Sequence, residues 1–86
     1  MKSKLHIDRH GTKRWKLPSG KFHREDDPAI EAMHYESWWL NGKLHREDGP
    51  AIEWFGCFKE WYLNGKNYTH QEYTKRLRLK KLKHIL

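Results

Sequence analysis

The chain of 86 residues has a single cysteine, Cys57, so it cannot form an internal disulfide. It contains no apolar run near the roughly 20 residues of a membrane span, and no signal-peptide-like segment follows Met1. Gly-rich phosphate loops, nucleophile elbows and paired catalytic carboxylates are missing as well. These absences predict a cytoplasmic protein that is not an enzyme and needs no cofactor. The apolar neighbours of Cys57 favour a turn or core residue over a nucleophile.

What the chain does contain is a repeat. Residues 20–31 read GKFHREDDPAIE and residues 42–53 read GKLHREDGPAIE, twenty-two residues further on. A third copy opens with WYLNGK at residues 61–66 and then changes into a different kind of sequence. Self-similarity at this period indicates small units that bury their apolar faces by stacking on one another. Such arrays are typical of binding surfaces rather than catalytic pockets.

Each copy has the signals of a β-hairpin. Asn41-Gly42 and Asn64-Gly65 predict two-residue turns, because a type I′ turn needs two residues that tolerate positive φ. Ser19-Gly20 holds the same place in the first copy, and an aromatic-rich extended run precedes each turn. The sequence predicts one domain, 1–86, that is mainly β. Residues 1–68 form an antiparallel meander of stacked hairpins with a repeat of about 22–23 residues.

The strands of these hairpins have two distinct faces, one of which must form the core. Period-two alternation places the first tryptophan of each copy on one face, and these are Trp15, Trp38 and Trp61. The following residues, Lys16, Trp39 and Tyr62, point the other way. We expect the twelve aromatic side chains to supply a thin core, since a chain of this size buries only about 60–65% of its unfolded surface. Trp39 and Tyr62 are therefore candidates for exposure on the second face.

The last segment, residues 69–86, predicts a basic amphipathic helix. Thr69 and Glu72 have the spacing of a capping box, in which each side chain satisfies the other's backbone N–H. On a helical wheel, the apolar and the basic side chains that follow lie on different sides. The apolar side holds Leu79, Leu82, Ile85 and Leu86, and the basic side holds Arg76, Lys80, Lys83 and His84. We expect the apolar side to cap the open end of the repeat stack, where the second half of copy three is missing.

The repeated His-Arg-Glu-Asp block suggests a metal site, but strand spacing argues against one. His23 and His45 lie two strands apart, about 9.5 Å, whereas two ligands of one zinc ion lie within about 4 Å of each other. His6 and His10 at the N-terminus are the remaining candidate ligands, but no Cys lies near them in the sequence, so we predict no metal site. The block is interpreted as a turn motif, in which the Asp accepts backbone N–H groups and the His and Arg bond to neighbouring strands.

Residues 38–53, with the pattern W-x-L-N-G-K-x-H-R-E-D-G-P-A-I-E, resemble the MORN-repeat variants of bacteriophage, giant-virus and some bacterial antitoxin proteins. The resemblance covers roughly residues 11–66 and excludes the helix. It implies a stacked β-hairpin meander used for binding, and related repeats contact proteins or phospholipids. Copy one departs from the pattern at Pro18-Ser19, and copy three departs at Asn67-Tyr68-Thr69.

Charge is divided unevenly along the chain. Residues 1–16 carry six Lys or Arg against one Asp, and residues 69–86 carry six against one Glu, so each end has a charge of +5. The middle, 17–68, has nine acidic and six basic residues and a charge of −3, within a net charge of +7. Basic ends indicate an anionic partner, either nucleic acid or an acidic protein surface. A merely solubilising surface is the alternative.

These observations favour three functions. The first is a phage-type module that binds and modulates or inhibits a host protein in the host cytoplasm. The second is nucleic-acid binding through the helix, with exposed aromatic rings as stacking platforms. The third is a structural or self-associating role, for example a homodimer formed by unpaired outer strands. A membrane surface is disfavoured because the core needs the leucine side of the helix. The candidate binding residues are Arg76, Lys80, Lys83, His84, Trp39 and Tyr62.

Overall fold

The computed structural model describes residues 2–56 and 58–85, and for residues 83–85 it describes the backbone alone. Within this part of the chain the strands are β1 (Lys4–Ile7), β2 (Lys13–Lys16), β3 (Ile30–Glu31), β4 (Tyr35–Ser37), β5 (Trp39–Leu40), β6 (Lys43–Leu44), β7 (Ile52–Trp54), β8 (Lys59–Leu63) and β9 (Lys66–Tyr68). The helix is α1 (His70–Ile85). The interpretation of Cys57 lies outside the described residues.

The strands form an antiparallel meander. One sheet has the order β1-β2-β3-β4-β7-β8-β9, and β5 and β6 form a separate two-stranded hairpin. Helix α1 follows β9 directly and contacts β8 and β9. The predicted fold class, a mainly β stack of hairpin repeats with one C-terminal helix, is confirmed.

The hairpin turns follow their sequences. Asn41 and Gly42 have φ angles of 51° and 80°, and Asn64 and Gly65 have 51° and 83°, as a type I′ turn requires. The first copy differs, because the Gly20 N–H donates to Leu17 O at 2.8 Å and Gly20 has a φ of 92°. This is a three-residue loop with a glycine bulge. Pro18 selects it, since its fixed φ fits the second position of a type I turn.

The hairpins stack through main-chain bonds between successive copies. The Gly42 N–H donates to Phe22 O and the Gly65 N–H donates to Leu44 O, both at 2.8 Å. Arg24 and Arg46 then donate their N–H groups to the first strand of the next hairpin, at Trp39 O and Tyr62 O. Residues 15–24, 38–46 and 61–68 therefore form a continuous series, called here the hairpin row.

The repeated block holds each unit together. The Arg24 guanidinium lies 3.8 Å from the centre of the Trp15 ring, donates to Pro28 O at 3.2 Å and pairs with Glu31 at 3.2 Å. The second copy repeats this arrangement with Arg46, Trp38, Pro50 and Glu53. Since the same three contacts occur once per unit, the arginine has an architectural role.

The histidine of the block closes the turn of the next hairpin. His23 Nδ1 accepts the Asn41 N–H at 2.9 Å, and His45 Nδ1 accepts the Asn64 N–H at 2.9 Å. The histidines therefore bond to the neighbouring hairpin, but to its turn and not to a strand as predicted. The Asp48 carboxylate, expected to accept a backbone N–H, accepts the Arg46 Nε–H at 3.0 Å instead.

The core is thinner than the aromatic content predicts. The molecule measures 47 × 33 × 17 Å, and its buried apolar side chains within the described ranges are Leu17, Ala29, Ile30, Ala51 and Tyr73. Trp15 and Trp38 are only half-buried. A sheet of one layer has no second layer to cover large rings, so arginine guanidinium groups cover these two indoles.

A row of like charges crosses the sheet beside this core. In the strand register, Glu36 lies between Glu31 and Glu53 on adjacent strands. Glu31 and Glu53 are paired with the arginines of the block, and burial followed by repulsion from these two neighbours raises the pKa of Glu36. The folded state therefore holds a proton at Glu36 more tightly than a free glutamate does.

We expect Glu36→Gln to stabilise the fold at pH 7 by roughly 0.2–1 kcal/mol, because it removes the central charge of the row. Since the pKa is raised on folding, the repulsion develops as pH rises above the ordinary value of 4.5 and is relieved below it. Thermal unfolding should show a higher melting temperature for Glu36→Gln than for the wild type at pH 7, and the difference should be smaller at pH 4. Glu25→Gln, in an exposed turn, is the matched control. An equal gain from both variants would contradict this explanation of the shift.

Candidate functional site

Helix α1 starts by replacing the missing block of copy three. The Thr69 N–H donates to Glu72 Oε1 at 3.0 Å and the Glu72 N–H donates to Thr69 Oγ1 at 3.1 Å, so the predicted capping box is confirmed. These bonds hold the pKa of the Glu72 carboxyl below its ordinary value. The His70 ring stacks on Trp61 at 4.6 Å between centroids. It occupies the place that an arginine holds over the tryptophan in the other two copies.

Tyr73 fixes the helix to the second repeat. Its side chain is buried, with 4% of its surface exposed. The hydroxyl donates to Arg46 O and accepts the Gly49 N–H at 3.2 Å. Burial raises the pKa of the Tyr73 phenol, with a smaller contribution from the Asp48 carboxylate. The tyrosine therefore satisfies two main-chain groups of the Arg-Glu-Asp-Gly turn while filling apolar space.

Lys80 makes the second attachment of the helix. Its ammonium donates to Glu47 Oε2 at 2.8 Å, and the same oxygen lies 3.1 Å from His45 Nε2. Because His45 Nδ1 accepts the Asn64 N–H, the ring proton is on Nε2 and is donated to Glu47. The Lys80 bond is the main cause that lowers the pKa of the Glu47 carboxyl. Lys80, a predicted binding residue, is thus directed toward the repeats.

An open groove of about 770 Å³ lies between α1 and the third hairpin, and we call it the α1 groove. Its apolar lining consists of Leu63, Tyr68, Leu77, Leu79 and Leu82. Its polar lining consists of His45, Asn64, Lys66, Arg76 and Lys80. Leu79 and Leu82 are 47% and 48% exposed. The groove therefore combines accessible leucine surface with three cationic side chains.

The expectation that the leucine side of the helix caps the stack is wrong for Leu79 and Leu82. The helix packs through Tyr73 instead, because the hydroxyl of Tyr73 has partners in the turn of the second repeat. Docking by this residue turns Leu79 and Leu82 toward the groove, where about half of each remains exposed. The expected contributions of Ile85 and Leu86 lie outside the part of the chain whose side chains are described.

The other predicted binding residues fall in different places. Arg76 lines the α1 groove, with its guanidinium 5.7 Å from the centre of the Tyr68 ring. Trp39 and Tyr62 alternate with the residues that face α1, so they lie on the opposite face of the sheet. Both are half-buried, and Trp39 packs against Phe22 at 5.3 Å between centroids. The side chains of Lys83 and His84 lie outside the described residues.

The structure does not bring the helix and the candidate stacking platforms together. A ligand in contact with Arg76 cannot at the same time stack on Trp39 or Tyr62, because the sheet lies between them. The two parts of the nucleic-acid hypothesis are therefore on separate surfaces.

Sequence reasoning missed a second exposed apolar surface. Two neighbouring loops are joined by the Phe55 N–H, which donates to His34 O at 2.9 Å. Met33, Phe55 and Phe58 on these loops are 76%, 57% and 69% exposed. The signal was available in the run Trp54-Phe55-Gly56, since large apolar residues are unusual at a turn. The cavity beside Phe55 is lined by one acidic and one basic residue, Glu53 and Lys59, whereas three cationic side chains line the α1 groove, so the α1 groove is the better candidate site.

Two findings bear on other kinds of site. Among the side chains that the structure describes, those of residues 2–56 and 58–82, no group of three or more His, Cys, Asp or Glu is arranged to hold a metal ion. The described helix is neither long enough nor apolar enough to cross a membrane.

No protein-family model, curated protein or solved structure matches the chain. The fold and the α1 groove are therefore interpreted from their own chemistry.

We expect Tyr73→Phe to destabilise the protein by about 1–3 kcal/mol, because it leaves Arg46 O and the Gly49 N–H without the hydroxyl. Thermal or denaturant unfolding monitored by circular dichroism measures the loss. Tyr62→Phe, on the face away from α1, is the matched control and should change stability by less than about 0.5 kcal/mol. Equal losses in the two variants would show that the Tyr73 hydroxyl does not anchor the helix.

Proposed function

We propose that the chain is a non-catalytic binding module that holds a partner protein in the α1 groove and thereby changes the activity of that partner. The observation that carries the proposal is the exposure of Leu79 and Leu82 next to Arg76 and Lys66. Apolar surface beside cationic side chains complements a protein segment that has both apolar and acidic residues.

The two kinds of side chain make different contributions. Complete burial of a leucine contributes about 1.5–3 kcal/mol, so covering the exposed half of Leu79 and of Leu82 contributes about 1 kcal/mol each. Arg76 and Lys66, at the rim, act mainly on the association rate and on the choice of partner. Affinity beyond this must come from further contacts in the groove.

The resemblance of residues 38–53 to MORN-repeat variants supports a binding role and a bacteriophage or mobile-element source. On this proposal the partner is a host protein, and occupation of the partner modulates or inhibits it. The helix, which lies outside the resemblance, supplies the individual part of the surface: one wall of the α1 groove is formed by Arg76, Leu77, Leu79, Lys80 and Leu82. Specificity for the partner is therefore assigned to α1.

In a pull-down from bacterial lysate treated with nuclease, the wild-type chain should retain a stoichiometric protein that Arg76→Glu plus Leu79→Glu loses. The double variant places negative charge in the groove and removes one of its exposed leucines. The matched control is Thr74→Glu plus Arg78→Glu, which makes the same change of charge on exposed helix positions outside the α1 groove. Retention by the control with loss by the groove variant is the expected result. Equal retention of the partner by both variants would show that the α1 groove does not bind it.

Nucleic-acid binding remains a second proposal, supported by exposed Lys75, Arg78 and Lys81 on α1. It predicts affinity for short DNA or RNA that falls steeply between 50 and 200 mM salt, on the order of 10³-fold or more if six phosphates are contacted. Fluorescence anisotropy at the two salt concentrations measures this. Here Arg78→Glu should weaken binding more than Leu79→Glu, the reverse of what a protein ligand in the groove requires. Absence of binding at low salt would eliminate this function.

A further inference from the structure

The two ends of the hairpin row differ in the main-chain groups that they leave open. Between copies, each junction uses a turn glycine as donor and a return-strand carbonyl as acceptor, as in Gly42 to Phe22 and Gly65 to Leu44. The acceptor always lies two residues after the turn glycine of its own hairpin. This fixed geometry shows which groups a further hairpin would need at either end.

The first hairpin is closed. Its turn glycine, Gly20, donates its N–H to Leu17 O within the same turn, at 2.8 Å. Lys16, the counterpart of Trp39, is paired with Lys4 of β1. Both groups by which the second and third hairpins dock are thus occupied in the first. A second copy of the chain therefore cannot present its first hairpin to another molecule in the way that the internal hairpins meet.

The third hairpin is open at one position. Asn67 is the counterpart of Phe22 and Leu44, and no described residue outside its own hairpin donates to its carbonyl oxygen. The next donor along the edge, the Thr69 N–H, is taken by Glu72 in the capping box. The edge of β9 therefore retains one acceptor of the type that receives a turn glycine, just before α1 begins.

Glycine is required at the internal junctions because Gly42 and Gly65 have φ angles of 80° and 83°, and a lysine of the preceding hairpin packs against each turn. A Cβ on Gly42 would lie 3.3 Å from the Lys21 side chain, and a Cβ on Gly65 would lie 3.7 Å from Lys43. Each lysine covers the turn of the next hairpin with its aliphatic part. Lys66 is the counterpart of these lysines and lies beside Asn67, so it can cover a turn in the same way.

The open edge is continuous with the α1 groove. A cavity of about 340 Å³ beside β9 is lined by Asn67, Glu72 and Lys75 and by four residues that also line the groove, Lys66, Tyr68, Arg76 and Leu79. A segment docked on Asn67 would place its side chains next to Leu79, next to the cations Lys66, Lys75 and Arg76, and next to one carboxylate, Glu72, so the charge around it is net positive. Acidic side chains in such a segment match this charge.

We propose that the β9 edge receives a β-hairpin of the partner protein, with glycine in the second position of its turn and acidic residues on the flanking strands. The turn glycine donates its N–H to Asn67 O, as Gly42 and Gly65 donate at the two internal junctions. The hairpin acts as a fourth unit of the row, which is a form of strand addition. This proposal rests on the proposed function, because it specifies the segment that the groove holds.

A cyclic hairpin peptide tests the geometry directly. The probe carries the Leu-Asn-Gly-Lys turn of residues 63–66 with glutamates on both flanking strands, and it is titrated into the ¹⁵N-labelled protein. We expect amide shifts at Lys66, Asn67, Tyr68 and Leu79. The control peptide has N-methylglycine in place of the turn glycine, and spectra of both free peptides verify that each is a hairpin. Loss of the N–H should weaken binding at least tenfold, and equal affinity would overturn the proposal.

A variant of the protein provides the matching test. Next to a two-residue turn, Asn67 and Tyr62 form a pair without mutual hydrogen bonds, so Asn67→Pro obstructs the edge while the main-chain β8–β9 bonds remain. The bond from Asn67 Nδ2 to Trp61 O is lost in Asn67→Pro and in Asn67→Thr alike. We expect Asn67→Pro to bind the peptide at least tenfold more weakly than the wild type, with an unchanged circular dichroism spectrum. Asn67→Thr should bind the peptide with the affinity of the wild type. If Asn67→Pro binds the peptide normally, the edge is not the docking site.

The pull-down from lysate, repeated with Asn67→Pro, distinguishes a failure of this proposal from a failure of the proposed function. A partner lost on Arg76→Glu plus Leu79→Glu but kept by Asn67→Pro would overturn the hairpin edge and leave the groove function standing. If the peptide binds with the expected N–H dependence but lysate contains no specific partner, the edge stands and the proposed function fails. A dimer in sedimentation that Asn67→Pro abolishes would assign the edge to a second copy instead.

Discussion

The placement of an arginine guanidinium on a tryptophan ring is the interaction on which the rest of the molecule depends. A sheet of one layer cannot bury an indole on its own, and Arg24 and Arg46 cover Trp15 and Trp38 at 3.8 and 3.7 Å. The same guanidinium groups bond a proline carbonyl at the next turn and a glutamate on the following strand. A side chain that makes a cation–π contact, a hydrogen bond and an ion pair joins three segments of each unit.

The third copy lacks this arginine, and its tryptophan is covered in another way. The His70 ring stacks on Trp61 from the first turn of α1. The helix is thereby placed against the second repeat, where Tyr73 bonds to Arg46 and Gly49 and Lys80 bonds to Glu47. Because these two residues determine the rotation of the helix, Leu79 and Leu82 are left at its side. The α1 groove is thus a consequence of how the last tryptophan is covered.

Sequence reasoning succeeded where the chemistry is local. The Asn-Gly turns and the capping box of Thr69 and Glu72 are determined by residues at most three positions apart, and both have the predicted form. The helix face was not predictable in the same way, because the partners of the Tyr73 hydroxyl are a carbonyl and an N–H more than twenty residues earlier. The different turn of the first copy could have been predicted from the sequence, since Pro18 is the residue that distinguishes this turn from the two Asn-Gly turns.

The difference between the first turn and the two Asn-Gly turns also bears on how such an array can change in evolution. The first hairpin and α1 each contact the repeats on one side only. A hairpin between them donates a turn-glycine N–H to the preceding hairpin and offers a carbonyl oxygen to the following one. A duplicated unit of 22 or 23 residues inserted between the ends would find the bonding groups it needs on both sides. The bonding pattern therefore permits the number of units to change by recombination without any change in the terminal elements or in the surface that they carry.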